Sequence, residues 1–419
     1  MQREPDDAVA SDGRRADSSA DAARAIVPFP WLAFGALGWI VINQFRDHLG
    51  LHAGDRSGLV AKGYLGADLF LILAGLLACR ALAGAGSARG SSYGAMIWRS
   101  IAPNYPLHLA TIAAMGAMLL AGRSLGAGFD LTPFNLAALP ANLLLVHAWG
   151  TLPSVYWNFP SWLLSAELAG CLILPALAWM ARRGPGRAAL LALVLFEAMA
   201  AIAAVRGVLF TDMTAQIGAL RVAPDFLMGA AIWGLLARRA PSRRSAELIA
   251  AACLAWIATG AALRVPDMAI WPAFAGLVFA LAARGESAPP ANTGLSQRFG
   301  RIAYAMYLTY LPVDIVYFHS LRRILGAPGG WLAWAVLAGV FPVILLVGAL
   351  AYLAVERPAA RWLLLQRNPF ARDRHRPPAA PAASREDPPR RPGRPPRPRR
   401  DPQPARSSSP SPARRSTRG

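Results

Sequence analysis

Charged side chains are scarce in this sequence, where they make up 16% of the 419 residues. Soluble domains carry about 25%, so the composition excludes an ordinary water-soluble enzyme. Cysteine is also rare, and Cys79, Cys171 and Cys253 all fall inside apolar stretches without a CxxC pair. This arrangement excludes a disulfide framework and a zinc-binding motif, and we expect no bound metal.

The motifs of common soluble enzymes are missing as well. The chain has no GxSxG elbow, no Walker loop, no HExxH and no GxGxxG. Active sites and nucleotide sites of those types are therefore excluded. We expect no bound cofactor.

Long apolar runs, in contrast, recur along the chain. Each is long enough to cross a hydrocarbon core of roughly 30 Å. The pattern predicts an all-α, polytopic membrane protein with about ten transmembrane helices. The predicted spans are 27–45, 64–83, 105–122, 159–181, 187–205, 218–237, 246–263, 268–283, 300–320 and 331–354.

A further apolar stretch, 135–149, is interrupted by Pro140. Cytoplasmic loops of membrane proteins are enriched in Lys and Arg. The arginine clusters that include Arg80, Arg182 and Arg238 all face the cytoplasm only if 135–149 does not cross the membrane. The sequence therefore predicts one re-entrant segment and both termini in the cytoplasm, with the chain integral to the inner (cell) membrane.

Two polar segments flank the membrane domain, which is predicted to cover 27–366. Residues 1–26 form a disordered cytoplasmic lead without the pattern of a signal peptide. Residues 367–419 contain fifteen Arg and only four acidic residues among many Pro and Ser, and such a composition stays disordered. A basic tail beside a membrane attracts anionic lipid, so we expect lipid and not nucleic acid as its partner.

The end of the first span carries a dense polar cluster of Gln44, Arg46, Asp47 and His48. Ionisable groups at membrane depth are costly and mark functional sites by default. We expect this cluster to line a substrate cavity. The alternative is a helix end that reaches the lipid headgroups.

Two carboxylates lie within predicted spans. Asp68 comes early in its span, where it serves either a site or a helix N-terminus. Glu167 lies at least one turn inside its span, and a buried carboxylate needs a partner or a proton. Arg221 in the sixth span and Arg99 before the third are the candidate partners.

Histidine and aromatic residues give weaker signals. His108 lies alone on an apolar helix, which is more often a packing position than a catalytic one, and His147 ends the predicted re-entrant segment. Trp149, Trp157 and Trp162 are typical of an aromatic belt at the membrane interface.

A stripe of Tyr304, Tyr307 and Tyr310 shares one helix face. Such a stripe usually packs, although its hydroxyls can donate to a ligand. The candidate catalytic residues are His48, Gln44, Asp47 and Glu167, and the candidate substrate-binding residues are Asp68, Arg99, His108, His147, Trp162, Arg221 and Tyr310.

Seven runs follow one another along the membrane domain: GYLGADLFLILAG (63–75), YPLHLA (105–110), NLLLVHAWG (142–150), WNFPSWLLSAE (157–167), LRVAPDFLMG (220–229), FGRIAYAMYLTYLPV (299–313) and AVERPAARWL (354–363). In this order they resemble the acyltransferase-3 family of integral membrane O-acyltransferases. The resemblance covers roughly 31–366, nearly the whole membrane domain.

The resemblance implies transfer of an acyl group, often acetyl, from acyl-CoA to a hydroxyl of a carbohydrate or a lipid-linked glycan. It places Gln44 at the position of the family's catalytic His and Ala33 at that of an Arg. Arg99 matches a family arginine, whereas Tyr310 stands where a His is frequent. Glutamine cannot act as a general base near neutral pH.

Three functions remain open. The first is a working acyltransferase whose base has moved to His48, one helical turn after Gln44, or to His108 or His147. The second is a family member without catalysis that acts as a binding or regulatory membrane protein. The third is a transporter with a path that includes Glu167 and Arg221.

Overall fold

The computed structural model describes residues 29–49, 57–87, 93–124, 132–208, 210, 214–285, 295–326 and 330–365. All regular structure in these ranges is helical. The predicted N-terminal lead at 1–26 and the Arg-rich tail at 367–419 lie outside the described residues, as does the side chain of Asp47.

Twelve helices of eight or more residues build the described part of the chain, joined by shorter helical turns. They are α1 (Pro30–Gln44), α2 (Gly66–Ser87), α3 (Tyr93–Ile101), α4 (Tyr105–Ser124), α5 (Trp162–Arg183), α6 (Pro185–Val205), α7 (Gly218–Leu236), α8 (Arg243–Ala262), α9 (Asp267–Gly285), α10 (Leu295–Leu325), α11 (Gly330–Ala351) and α12 (Arg357–Leu365).

Eight helical segments of the described chain are long and apolar enough to cross a membrane, and they match eight of the ten predicted spans. This confirms an all-α polytopic membrane protein. The other two predicted spans, 27–45 and 300–320, coincide with α1, which has 15 residues, and with α10, which contains Asp314. The eight segments are Gly63–Ala83, Tyr93–Ser124, Phe159–Arg183, Pro185–Val205, Gly218–Leu236, Arg243–Ala262, Asp267–Arg284 and Gly330–Leu364.

Helix α7 lies at the centre of the bundle, packed against α2, α5 and α6. Two glycines bring α2 and α7 into backbone contact. A Cβ atom on Gly229 would overlap the backbone of Ile72 and Leu76, and one on Gly75 would overlap the backbone of Phe226. Only glycine permits so close an approach, so these positions fix the spacing of the two helices.

Helix α10 packs against α1 and α11. At its beginning, a Cβ atom on Gly300 would touch Pro30 at the start of α1. Further along, Asp314 contacts His48, just beyond the end of α1. The two helices therefore run side by side in the same direction, and α10 faces the polar residues that follow α1.

The predicted re-entrant segment does not form a spanning helix. Its α-helical part, Leu139–Leu143, has five residues and is followed by turns. Leu145 and Trp157 adopt positive φ values of 56° and 63°, which are strained for side chains of this size. The Trp157 N–H donates to the Pro133 carbonyl at 2.7 Å, so the connection folds back on itself before α5 begins.

Candidate functional site

The most deeply buried charges lie where α2 meets α7. Arg221 Nε is 3.1 Å from Asp68 Oδ1, and Arg221 Nη2 is 2.8 Å from Asp68 Oδ2. Asp225, one turn further along α7, accepts a 2.8 Å hydrogen bond from the Trp271 indole. The Trp162 ring lies 5.1 Å from Arg221 Cζ, close enough for a cation–π contact. These groups connect α2, α5, α7 and α9 in the middle of the bundle.

The predicted aromatic belt is wrong for two of its three tryptophans. Trp157 and Trp162 are 5% and 3% exposed, whereas belt residues face the headgroups. The connection before α5 folds back on the bundle and encloses both rings. Trp149 is half-buried, and its indole N–H donates to the Ser165 carbonyl.

Glu167 has a different neighbour from those expected. Arg221 forms its ion pair with Asp68, and Arg99 is exposed at the end of α3. Tyr304 of α10 lies beside the Glu167 carboxylate instead. Glu167 Oε2 is buried and has no hydrogen-bond partner in the described part of the chain.

His108 and His147 form a buried pair. Their rings are parallel within 9°, with centroids 6.1 Å apart. His108 Nε2 donates to the Asn142 carbonyl at 3.0 Å, and His147 Nε2 lies 3.1 Å from Ser161 Oγ. His147 belongs to the connection between two spans, where burial, reinforced by the neighbouring His108, lowers its pKa to about 4. A base with so low a pKa is weak at neutral pH.

The third histidine has the most distinctive surroundings. His48 Nε2 is 2.7 Å from Asp314 Oδ1, and its side chain is 21% exposed. Arg322 Nη2 lies 3.3 Å from His48 Nδ1. The Phe318 ring stacks on the imidazole at 3.8 Å with 5° between the planes. We call His48, Asp314, Phe318 and Arg322 the His48 site.

The donors and acceptors of the His48 site define the tautomer of the imidazole. An arginine N–H can only donate, so His48 Nδ1 accepts from Arg322. The proton of the neutral ring therefore lies on Nε2, which is at ion-pair distance from Asp314 Oδ1 without the alignment of a hydrogen bond. The lone pair of Nδ1, the nitrogen away from the carboxylate, is occupied by Arg322 and becomes that of a general base only when an acceptor hydroxyl replaces the guanidinium.

A continuous α-helix would place His48, one helical turn after Gln44, on the same face as Gln44. That expectation required the α-helix to continue, but α1 ends at Gln44 and Phe45–Leu49 forms a 3₁₀ helix. Residues four apart no longer share a face in the tighter helix. His48 therefore points to α10, while Gln44 is half-buried at the end of α1.

Tyr310 connects the His48 site to the interior. It is 2% exposed, and its ring lies 6.1 Å from Phe45 and 5.9 Å from Tyr307. Asp314, one turn further along α10, acts electrostatically on its hydroxyl. No hydrogen-bond partner for this hydroxyl occurs among the described residues.

Sequence reasoning missed Asp314, Asp225 and Ser161. The first two are carboxylates inside predicted spans, so the criterion that selected Asp68 and Glu167 would also have found them. Ser161 carries no such signal, because a serine in an apolar run is common and its contact with the His147 ring depends on the fold.

A small cavity of about 150 Å³ lies between Pro153–Val155 and Thr214–Gln216. This is below the usual volume of a small-molecule site, so the cavity alone does not define a substrate pocket. The described residues contain no cluster of three or more His, Cys, Asp or Glu side chains that would hold a metal.

Comparison with known families decides the identity of this membrane domain. The model of the acyltransferase-3 family, described as an acyltransferase domain, matches residues 24–353. The chain belongs to the acyltransferase-3 family. No curated protein and no solved structure matches it.

Proposed function

We propose that this acyltransferase-3 protein transfers an acyl group, most simply acetyl, from acyl-CoA to a hydroxyl of a carbohydrate or a lipid-linked glycan. His48 is the general base of the reaction. The observation that carries this assignment is the 2.7 Å contact of its Nε2 with Asp314 Oδ1 in a side chain that is still 21% exposed.

The three candidate bases differ in what surrounds them. His108 and His147 are fully buried, and both use Nε2 for contacts within the fold. His48 is reachable and has a carboxylate behind it. A hydroxyl that takes the place of Arg322 at His48 Nδ1 would lie in line for proton transfer.

The chemistry follows from the His48 site. His48 removes the proton of the acceptor hydroxyl, whose oxygen attacks the thioester carbonyl. The C–S bond breaks, and the proton returns to the thiolate of CoA. Asp314 stabilises the imidazolium, and the Arg322 guanidinium, displaced from Nδ1, lies close enough to stabilise the oxyanion.

The loop contacts support the proposed topology, with both termini in the cytoplasm of a cell with an inner membrane. Arg238 Nη2 donates to the Arg182 carbonyl at 2.8 Å, so these two arginine-rich loops lie at the same end of the bundle. His48 and Arg322 meet at one end as well. In this topology the tail at 367–419 is cytoplasmic and binds anionic lipid.

A second function is favoured by Gln44 and Ala33, which replace the family's His and Arg. Neither side chain can take or deliver a proton at neutral pH. If His48 does not compensate for them, the protein is a binding or regulatory member of the family. The transporter hypothesis is a third proposal, in which Glu167 and Arg221 act without direct contact, because Arg221 pairs with Asp68 and Glu167 lies beside Tyr304.

The test is acyl transfer by the purified full-length protein, with labelled acetyl-CoA and envelope glycans and lipids as acceptors, measured by mass spectrometry. We expect His48→Ala to lower kcat at least about 100-fold, the range of general base catalysis. Asp314→Asn should lower it less. The matched control is His319→Ala, because His319 is an exposed histidine on α10, the helix that carries Asp314.

Each outcome selects one hypothesis. Loss of a defined acyl mark in a gene-deletion strain, together with an inactive His48→Ala variant, supports the proposed enzyme. Full activity in His48→Ala would refute its role as base. A wild-type protein that is folded and inserted but leaves the acyl inventory unchanged would support the binding function.

A further inference from the structure

Two spanning helices of the described chain are covered least by the rest of the protein. In α6 and α8, 22% and 28% of the spanning residues are buried, and the others face the lipid. An apolar surface needs no partner there, because lipid tails are as apolar as a leucine side chain. Exposure alone therefore does not distinguish α6 from a helix that merely faces lipid.

Glu197 is what distinguishes α6 from α8. It lies about 18 Å along the axis from the first residue of α6 and about 12 Å from the last. It is therefore close to the middle of a hydrocarbon core of roughly 30 Å. The only carboxylate of α8, Glu247, lies near the start of its helix and contacts Arg243. From its greater depth, Glu197 cannot reach the headgroups.

The Glu197 side chain lies on the outer side of α6. Ala192 and Phe196 are both 0% exposed and mark the side of the helix that faces the core, whereas Val194 is 54% exposed. Glu197 is partly exposed, and no charged or hydrogen-bonding group of the described residues lies beside it. Ionisable groups at membrane depth are costly and are found with polar partners. A partner for Glu197 must therefore come from outside the described chain.

The residues around Glu197 form one face of α6, which we call the Glu197 face. They recur at intervals of three and four residues, the spacing of neighbours on a helix surface. The half before Glu197 is aliphatic, and the half after it contains only alanine. The Glu197 face consists of Leu190, Val194, Glu197, Ala200, Ala201 and Ala204. Small residues allow two helices to approach closely within a membrane.

We propose that the Glu197 face is the contact between two copies of this chain, related by a two-fold axis along the membrane normal. Two-fold dimers are the commonest protein oligomers. Two copies inserted in the same direction place every residue at the same depth as its counterpart. Glu197 therefore meets Glu197 of the second copy, whereas a foreign helix would need a polar group of its own at that depth.

A carboxyl group is complementary to its own copy. In hydrocarbon the neutral acid costs far less than the carboxylate, and the acid has one O–H donor as well as acceptor oxygens. Two such groups form two reciprocal hydrogen bonds, in which each O–H donates to the carbonyl oxygen of the other. The axes of packed helices are about 8–10 Å apart, and the alanines of the Glu197 face favour the short end of this range.

The experiment is disulfide cross-linking of the full-length protein in phosphatidylcholine and phosphatidylglycerol vesicles, at a low ratio of protein to lipid. Ala201→Cys places a thiol on the Glu197 face, and an oxidant should convert most of this protein to a cross-linked dimer. Ile202→Cys is the matched control, because Ile202 is 57% exposed but points about 100° away from Ala201. A disulfide requires Cα atoms within about 7 Å, so Ile202→Cys should stay monomeric, as should the chain without an added cysteine.

The role of the carboxyl group is tested in the Ala201→Cys chain. Glu197→Leu removes the hydrogen-bonded pair and should lower the dimerisation constant about tenfold. Glu197→Gln keeps a group that both donates and accepts, and it should cross-link as the parent does. Leucine makes α6 more apolar, which favours insertion, and the elution profile in detergent reports whether each variant is folded.

Three results would overturn the proposal. Equal cross-linking at positions 201 and 202 would indicate random collision, and undiminished cross-linking in Glu197→Leu would leave the carboxyl group without a role. The third is an Ala201→Cys chain that stays monomeric in vesicles; if it then cross-links in native membranes to a protein of another mass, the face binds a foreign partner. No residue of the Glu197 face belongs to the His48 site, so failure of acyl transfer does not affect this test.

Discussion

Asp68 and Arg221, 153 positions apart in the chain, form a two-point ion pair that is almost completely removed from solvent. It joins α2 to α7, the central helix of the bundle. Breaking a buried pair from one side leaves an uncompensated charge, which is far more costly than the pair is stabilising.

Arg221→Gln should therefore lower the free energy of unfolding by about 3–5 kcal/mol. The measurement is the Tm of the purified protein in detergent, followed by tryptophan fluorescence. Asp68→Asn with Arg221→Gln should recover part of the loss. Arg243→Gln breaks an exposed pair with Glu247 and should leave Tm unchanged. Equal effects of Arg221→Gln and Arg243→Gln would contradict the structural role of the buried pair.

Gln44→His places a histidine where the resemblance to the family expects one. It should not raise the rate of acyl transfer, because Ala33, buried at 4% exposure, stands where the resemblance expects the partner Arg. The check compares kcat of Gln44→His with that of Gln44→Asn, which alters the same site without a titratable group. A large gain for the histidine variant alone would show that the usual site is intact and that His48 is not the base.

His147 should make the protein less stable in acid. Burial holds its pKa at about 4, whereas in the unfolded chain it is about 6.5. As the pH falls below 6.5, the unfolded chain binds a proton that the folded chain does not, and the free energy of unfolding decreases until about pH 4. At 1.36 kcal/mol per unit the loss approaches about 3 kcal/mol.

The measurement of this pH effect is Tm between about pH 7 and pH 4 for the wild type and for His147→Gln. The variant should lose less stability across this interval, because its side chain does not titrate. Parallel curves for the two proteins would show that the acid sensitivity comes from other groups.

Gly229→Ala should destabilise the bundle by about 1–3 kcal/mol or more, the usual range for an overpacked core. Its Cβ would overlap the backbone of α2 at Ile72. Gly35→Ala is the control, since nothing lies within 4 Å of a Cβ there and Ala is the better helix former. A lower Tm for Gly229→Ala and an equal or higher Tm for Gly35→Ala are expected, and the reverse order would contradict the close approach of the two helices.

Local patterns predicted much of the fold. The apolar run at 187–205 became Pro185–Val205, and the run at 218–237 became Gly218–Leu236. Such helices are recognisable because lipid demands a long apolar stretch whatever its neighbours are. The positions of the arginine clusters predict that the re-entrant segment does not cross the membrane. Its five-residue helix agrees with that prediction.

The site was less predictable, because its contacts join distant parts of the chain. The partner of His48 is Asp314, far away in sequence, and no local pattern indicates that α1 and α10 run side by side. The sequence marks Glu167 as a residue that needs a partner and favours a cation for it, whereas the neighbour in the structure is the phenol of Tyr304. Sequence identifies polar groups at membrane depth, and packing decides which of them meet.

The change from α-helix to 3₁₀ helix after Gln44 has a mechanical consequence. Over the four residues to His48, the tighter winding adds about 80° of rotation and about 2 Å of rise relative to an α-helix. The pitch of Phe45–Leu49 therefore turns His48 toward α10, where its side-chain contacts hold the imidazole. Rewinding that one turn would swing His48 away from Asp314 and disconnect base from carboxylate while every helix of the bundle stays in place.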